Sequence, residues 1–163
     1  MFVCALVGVV AAITVPLSLA GVDRARGWAA ARFVAARLLQ ARAQAVSRGA
    51  TVAVRIEGRD RDATLSSFAD TNRNGVLTRD IDDGVDTRLD GPVPLTAIFP
   101  GVVVTHDGAI RLFSFSPDGT ATSGSVYLES RDGTRFAVRV LGVTARVRIE
   151  RYVEARSEWL EGF

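Results

Sequence analysis

No charged side chain occurs between Met1 and Val22, and this run of 22 residues constrains the chain more than any other stretch. A helix rising ~1.5 Å per residue over that length covers the roughly 30 Å hydrocarbon core of a bilayer. Residues 1–22 therefore read as the transmembrane half of a long amino-terminal helix. Pro16 removes one backbone donor and crowds the preceding turn, which predicts a kink and not a helix end. The other reading of such a run is a secretory signal peptide cleaved near Ser18-Leu19-Ala20. Against it, no basic residue precedes the run and the helical pattern continues past Ala20.

Residues 23–49 read as the amphipathic half of the same helix. Val34, Leu38, Ala41 and Ala45 fall at i, i+4, i+7 and i+11, one face of small and medium apolar groups suited to cover a sheet. Arg32, Arg37 and Arg42 lie mostly off that face, as a solvated flank. Gly49 stands where a left-handed C-cap is expected, and Arg48 suits the negative end of the helix dipole. All 20 basic residues are arginines against 18 acidic ones, and they are unevenly placed: Asp23 to Arg48 is basic, Glu57 to Asp90 acidic. The one cysteine, Cys4, lies in the apolar run, so no internal disulfide can form.

From Ala50 the apolar period changes from 3.6 to 2. Val52, Val54 and Ile56 alternate with Ala53, Arg55 and Glu57, and 63–68 continues more weakly after a hairpin around Gly58-Arg59-Asp60. Further strands are expected at 101–105, 110–115, 125–130, 135–141 and 145–152. They are punctuated by Asp107-Gly108, Pro117-Asp118-Gly119, Asp132-Gly133 and Gly142. Short connections predict antiparallel pairing, and the tail 153–163 reads as a short helical or disordered end. The expected fold is α+β, a long helix packed on antiparallel sheet, with residues 50–163 as one β-rich globular domain. Its core should draw on Val34, Leu38, Val52, Val54, Ile56, Val103, Leu112, Val126, Leu128, Phe136, Val138, Val140, Val147 and Ile149.

An apolar helix with Gly8 and Pro16 eight apart, an extension reading LLQARAQAVSRG, and the stretches IRLFSFSPDGTATSG and VRVLGVTARVRIERY closely resemble the GspH/FimT family of type IV pilin-like proteins. The resemblance implies a minor pseudopilin, a non-catalytic subunit of a type II secretion pseudopilus or a type IV pilus. It implies filament packing at Gly8 and Pro16, and as partners other major and minor pilins or pseudopilins and an inner-membrane assembly platform. The implied location is a single pass of the inner membrane with the globular domain in the periplasm or on the cell surface, although a positive-inside count on Arg24 and Arg26 alone would leave it in the cytoplasm. The family's basic leader, cleavage glycine and glutamate at the fifth mature position have no counterpart here, so Met1 is expected to be an internal methionine. The alternative function is that of a pilus-associated DNA-binding minor pilin acting in DNA uptake. Arg146 and Arg148 look like the two arginines of that branch's Gly-Arg-x-Arg pattern, with Ala145 in place of the glycine, and strand alternation puts them on one face.

The stretch Asp70-Thr-Asn72-Arg-Asn74-Gly75 carries oxygen ligands at positions one, three and five and glycine at six, the start of a calcium loop. The expected ligands are Asp70, Asn72, Asn74, Val76, Thr78 and Asp82. Position twelve is Ile81 where a bidentate carboxylate belongs, so affinity should be weak, and the competing reading is an Asx-rich solvated loop. Catalysis finds little support: the single histidine, His106, sits beside a turn, and Ser114, Ser116 and Ser123 have no second histidine to activate them. No catalytic residue and no small-molecule substrate are expected.

Overall fold

The computed structural model describes residues 2–58, 60–106 and 112–161, and within 2–20 the helical backbone alone. Gly8, Pro16, the kink expected there and most of the apolar run thus lie outside the residues whose side chains are described. Among the described residues, no helix is long and apolar enough to cross a membrane.

Helix α1 is continuous from Phe2–Arg48. Val34, Leu38, Ala41 and Ala45 are all buried, joined on the same side by Gly27, Ala30, Ala31 and Ala35. Gly49 ends the helix in the left-handed region, φ +62°, and its amide donates to the Val46 carbonyl. The small residues of this face let the sheets approach closely. A Cβ added at Gly27 would stand 2.8 Å from both Phe136 Cε2 and Ser130 Cβ.

Among the described residues, nine strands form two antiparallel sheets. In the first, β3 (Thr87–Pro94), β2 (Thr64–Ala69), β1 (Val52–Glu57) and β5 (Leu112–Phe115) lie in that order. In the second the order is β4 (Val103–His106), β6 (Gly124–Glu129), β7 (Arg135–Leu141), β8 (Arg146–Val153) and β9 (Glu158–Glu161). Short helices α2 (Thr78–Asp82) and α3 (Leu95–Ile98) flank β3. Val52, Val54 and Ile56 of β1 and Val126, Leu128, Phe136, Val138 and Val140 of β6 and β7 meet under α1 in one apolar cluster. The first sheet is covered on its other face too, where Ala53 and Phe68 pack with Val76 from the loop beyond β2 and Ile81 of α2.

Several details differ from the sequence reading. The core of β4 is Val104, with Val102 just before it, and not Val103. That of β5 is Phe113 and Phe115, not Leu112, which packs against the second cluster instead. A strand exchanges faces with every one-residue slip, so misplacing a four-residue strand by one position inverts its core. Val147 and Ile149 are half-buried, at the rim of the main cluster. Strand β3 is not among the expected strands; it carries Pro92 and Pro94 and lies at the sheet edge, where a missing ladder donor is tolerated. The tail makes a single 3-10 turn, Glu154–Arg156, and then the ninth strand.

Replacing Gly27 by Val should destabilise the domain by ~1–3 kcal/mol through overpacking against Phe136 and Ser130. Gly21→Ala, which meets nothing within 4 Å, should be neutral or gain up to ~1 kcal/mol of helix propensity. Thermal melts of the two variants, followed by near-UV circular dichroism, check the opposite signs.

Candidate functional site

The acidic middle of the chain folds into the loop joining β2 to β3, and three carboxylates organise it from inside. Asp70 accepts the amides of Arg73 (2.7 Å) and Gly75 (2.8 Å), one on each oxygen. Its neighbours turn through left-handed backbone at Arg73 (φ 64°) and Gly75 (φ 85°). Asp80, only 4% exposed, receives Asn74 Nδ2 at 2.8 Å and Asn72 Nδ2 at 3.2 Å on one oxygen and Arg79 Nε at 3.2 Å on the other. These bonds, those from Asn74 and Asn72 first, hold its carboxyl below the ordinary carboxylate value against the opposing effect of desolvation. Asp86, equally buried, accepts the amides of Thr71 and Leu77 and so closes the loop on its far side.

Of the expected calcium ligands, Asn72 and Asn74 meet on Asp80, while Asp70 turns the same stretch through the amides of Arg73 and Gly75. Val76 places its side chain in the second apolar cluster and Thr78 opens α2 in solvent. Asp82 points elsewhere, its carboxylate 2.6 Å from Arg55 Nη1. Among the described residues, no group of three or more histidines, cysteines and carboxylates is arranged to hold a metal ion. Ligand spacing assigns no position to Asp80 or Asp86, because their roles come from burial, which a ligand-position pattern does not encode.

The outer face of the second sheet is the other candidate. The ring of Trp159 on β9 lies 5.2 Å from that of Tyr152 on β8 and 5.7 Å from that of Tyr127 on β6. Arg139 stands within 6 Å of Tyr127 and Trp159, at 5.9 and 5.7 Å, and donates from Nε to Glu150 at 2.7 Å, which holds it protonated. Arg135 lies over Tyr152 at 4.2 Å. Arg146 and Arg148 do project from the same face, as alternation predicts, and both close on one carboxylate: Glu161 of β9 lies 3.3 Å from Arg146 Nη2 and 3.1 Å from Arg148 Nη1. Ala145 before them holds φ at 47° although it is not glycine, and it is fully buried.

One long helix laid across two antiparallel sheets, with its amino-terminal part running on beyond them, is a type IV pilin-like fold. The family described as type II transport protein GspH matches residues 30–144, and the chain belongs to that family. Two solved proteins share the fold. The minor pseudopilin EpsH from the type 2 secretion system of Vibrio cholerae matches with 15% identity over 76% of this chain and 95% of that one, TM-score 0.55. The type IV minor pilin FimU of Pseudomonas aeruginosa matches with 18% identity over 85% and 95%, TM-score 0.56. No curated protein matches the chain.

Proposed function

We propose that the chain is a non-catalytic minor pseudopilin. In this reading the amino-terminal run anchors it once in the inner membrane, the β-domain lies in the periplasm, and α1 packs against other pilins or pseudopilins in a filament raised by an inner-membrane assembly platform. The family's description favours type II secretion over a type IV pilus. The observation that carries the reading is the second face of α1. Opposite the buried side, Ala25, Ala29, Ala36, Leu39, Ala43 and Val46 are all exposed, Leu39 at 47% and Val46 at 58%. Their spacing alternates threes and fours, with Arg32 the interruption, which is the repeat of a helix-helix seam. Small side chains there allow another helix to come close. Leu39→Arg should leave the melting temperature of the domain within a degree or two of wild type, since Leu39 contributes to no core. It should abolish cross-linking to neighbouring subunits through a cysteine at Ala36 in a Cys4→Ser background. Undiminished cross-linking would remove this reading.

A second reading, DNA uptake, has one observation in its favour: four arginines among three aromatic rings on an open sheet face, an arrangement able to stack bases and meet phosphates. Glu161 already sits on Arg146 and Arg148, so a phosphate must displace it. Binding would be sequence-independent, and Arg146→Ala with Arg148→Ala should reduce the log-log salt slope by roughly two. Glu161→Ala should strengthen binding. Filter binding of a labelled duplex across a salt series measures both; an unchanged slope in the double variant argues against this function.

Calcium at the 70–83 loop belongs with either reading. An ion entering there takes Asp80 from Asn72 and Asn74, which must turn their amide oxygens inward. With only Asp70 and Asp80 charged among the gathered groups, the expected dissociation constant is about 0.1–1 mM. Calorimetric titration with calcium should show that heat in wild type and lose it in Asp80→Asn; no heat in wild type means that the loop is held by protein bonds alone.

A further inference from the structure

We propose that the foot of the β-domain, where α1 leaves the sheets, carries a binding site for an anionic phospholipid. The inference rests on the membrane-anchored reading above and goes beyond it. A cleft of about 290 Å³ is lined there by Gly21, Arg24, Ala25 and Trp28 of the helix and by Phe136 and Arg151 of the second sheet. Its floor is apolar: Trp28 is half-buried, with its ring 6.0 Å from that of Phe136. A second basin of about 410 Å³ adjoins it, shares Arg24 and Arg151, and continues to Arg135 and Tyr152. The two guanidinium groups therefore stand at the boundary between an apolar slot and a polar one. An amphiphile with a negative head has this division.

Three observations select a lipid over other occupants. First, the cleft lies where the uncharged run ends, at Gly21 and Arg24, so a bilayer holding residues 1–22 would bring its headgroups to them. Secondly, an amphipathic tryptophan beside arginines is the side-chain set that settles at a membrane-water boundary. Thirdly, the charge balance of the cleft walls is positive. Arg24, Arg135 and Arg151 face Asp132 and Glu154. The Asp132 side chain is 8% exposed and is engaged by Ser130 Oγ and by the amide and hydroxyl of Thr134, and Arg24 Nε lies 3.4 Å from it while the Arg24 side chain remains 59% exposed. Arg24 can thus hold Asp132 and a lipid phosphate together, and planar guanidinium groups suit that geometry.

The test uses the full chain reconstituted in bilayer nanodiscs of phosphatidylglycerol and phosphatidylcholine, first checked for retention after alkaline washing, then released into detergent for native mass spectrometry. The expected result is a retained phosphatidylglycerol adduct preferred over phosphatidylcholine by about tenfold, as two arginines near a headgroup warrant. Arg24→Gln with Arg151→Gln should lose most of that preference. Gly21→Leu, which fills the slot where an added Cβ meets nothing within 4 Å, should lose the adduct with the charges intact. Arg26→Gln, outside the cleft and paired with Asp23, should change nothing. Equal retention of both lipids, or equal losses in the Arg26 and Arg24/Arg151 variants, overturns the site while leaving the anchor in place. Failure of the chain to stay in the washed bilayer overturns the anchored reading and the site together.

Discussion

The packing of α1 on both sheets is the interaction the rest of the domain depends on. Residues of β1 and β5 from one sheet and of β6, β7 and β8 from the other approach the same helix, and the main apolar cluster is continuous through it. Burying Val34 or Leu38 contributes about 1.5–3 kcal/mol each. The larger structural effect comes from what is missing: Gly27, Ala30, Ala31, Ala41 and Ala45 add little bulk, so the helix sits low enough for Phe113, Phe115 and Phe136 to fill the space beneath it. A helix with large residues at these positions would hold the sheets apart and open the core that joins them.

How much of this was legible in the sequence depended on the length of each pattern. The inner face of α1 from Val34 to Ala45 spans about three turns, so an error of one residue cannot hide it, and Val34, Leu38, Ala41 and Ala45 are buried as expected. Strand β7 matched to the residue because seven alternating positions fix its faces. β4 and β5 have four residues each, and there the alternation alone could not tell Val103 from Val104 or Leu112 from Phe113. β3 was invisible for another reason: Pro92, Pro94 and Gly91 argue against a strand in isolation, and only its place at the edge makes them acceptable. Nothing local to β3 carries that information.

The candidate sites were legible as residue types and less so as arrangements. Asn72 and Asn74 do converge, and Asp70 bonds the turn's amides, because short polar side chains before a glycine turn the backbone tightly. Their convergence is completed by Asp80, which takes the two asparagine amides, so the group that would face a cation first serves the protein's own donors. The arginine pair behaves in the same way. Two-residue spacing put Arg146 and Arg148 on one face, and Glu161, fifteen residues beyond Arg146, is laid against both by the β8–β9 hairpin. Ala145 shows what the expected glycine would have done there. Its backbone holds the left-handed conformation that glycine adopts freely, while its methyl group is buried, so the turn into β8 is kept at some conformational cost.

The uneven charge along the chain acquires a structural meaning in the fold. A basic helix followed by an acidic segment could have produced a polarised surface able to steer a charged ligand. Instead the charges are paired within the domain: Arg37 of the basic helix meets Asp90 of the acidic segment, Arg24 of the helix meets Asp132 beyond it, and the acidic Asp82 and Glu57 are held by Arg55 of β1. Pairs this exposed contribute little stability individually. Their consequence is placement, since Arg24 and Arg37 reach toward the sheets and away from the outer stripe, in whose sequence of positions from Ala25 to Val46 Arg32 is the one cation. A stripe ringed by arginines would repel a like copy of itself; one whose flanking charges are satisfied within the domain can meet another helix across small side chains. The charge asymmetry therefore works by keeping the outer face of α1 almost neutral, which is the condition under which an apolar seam can associate at all.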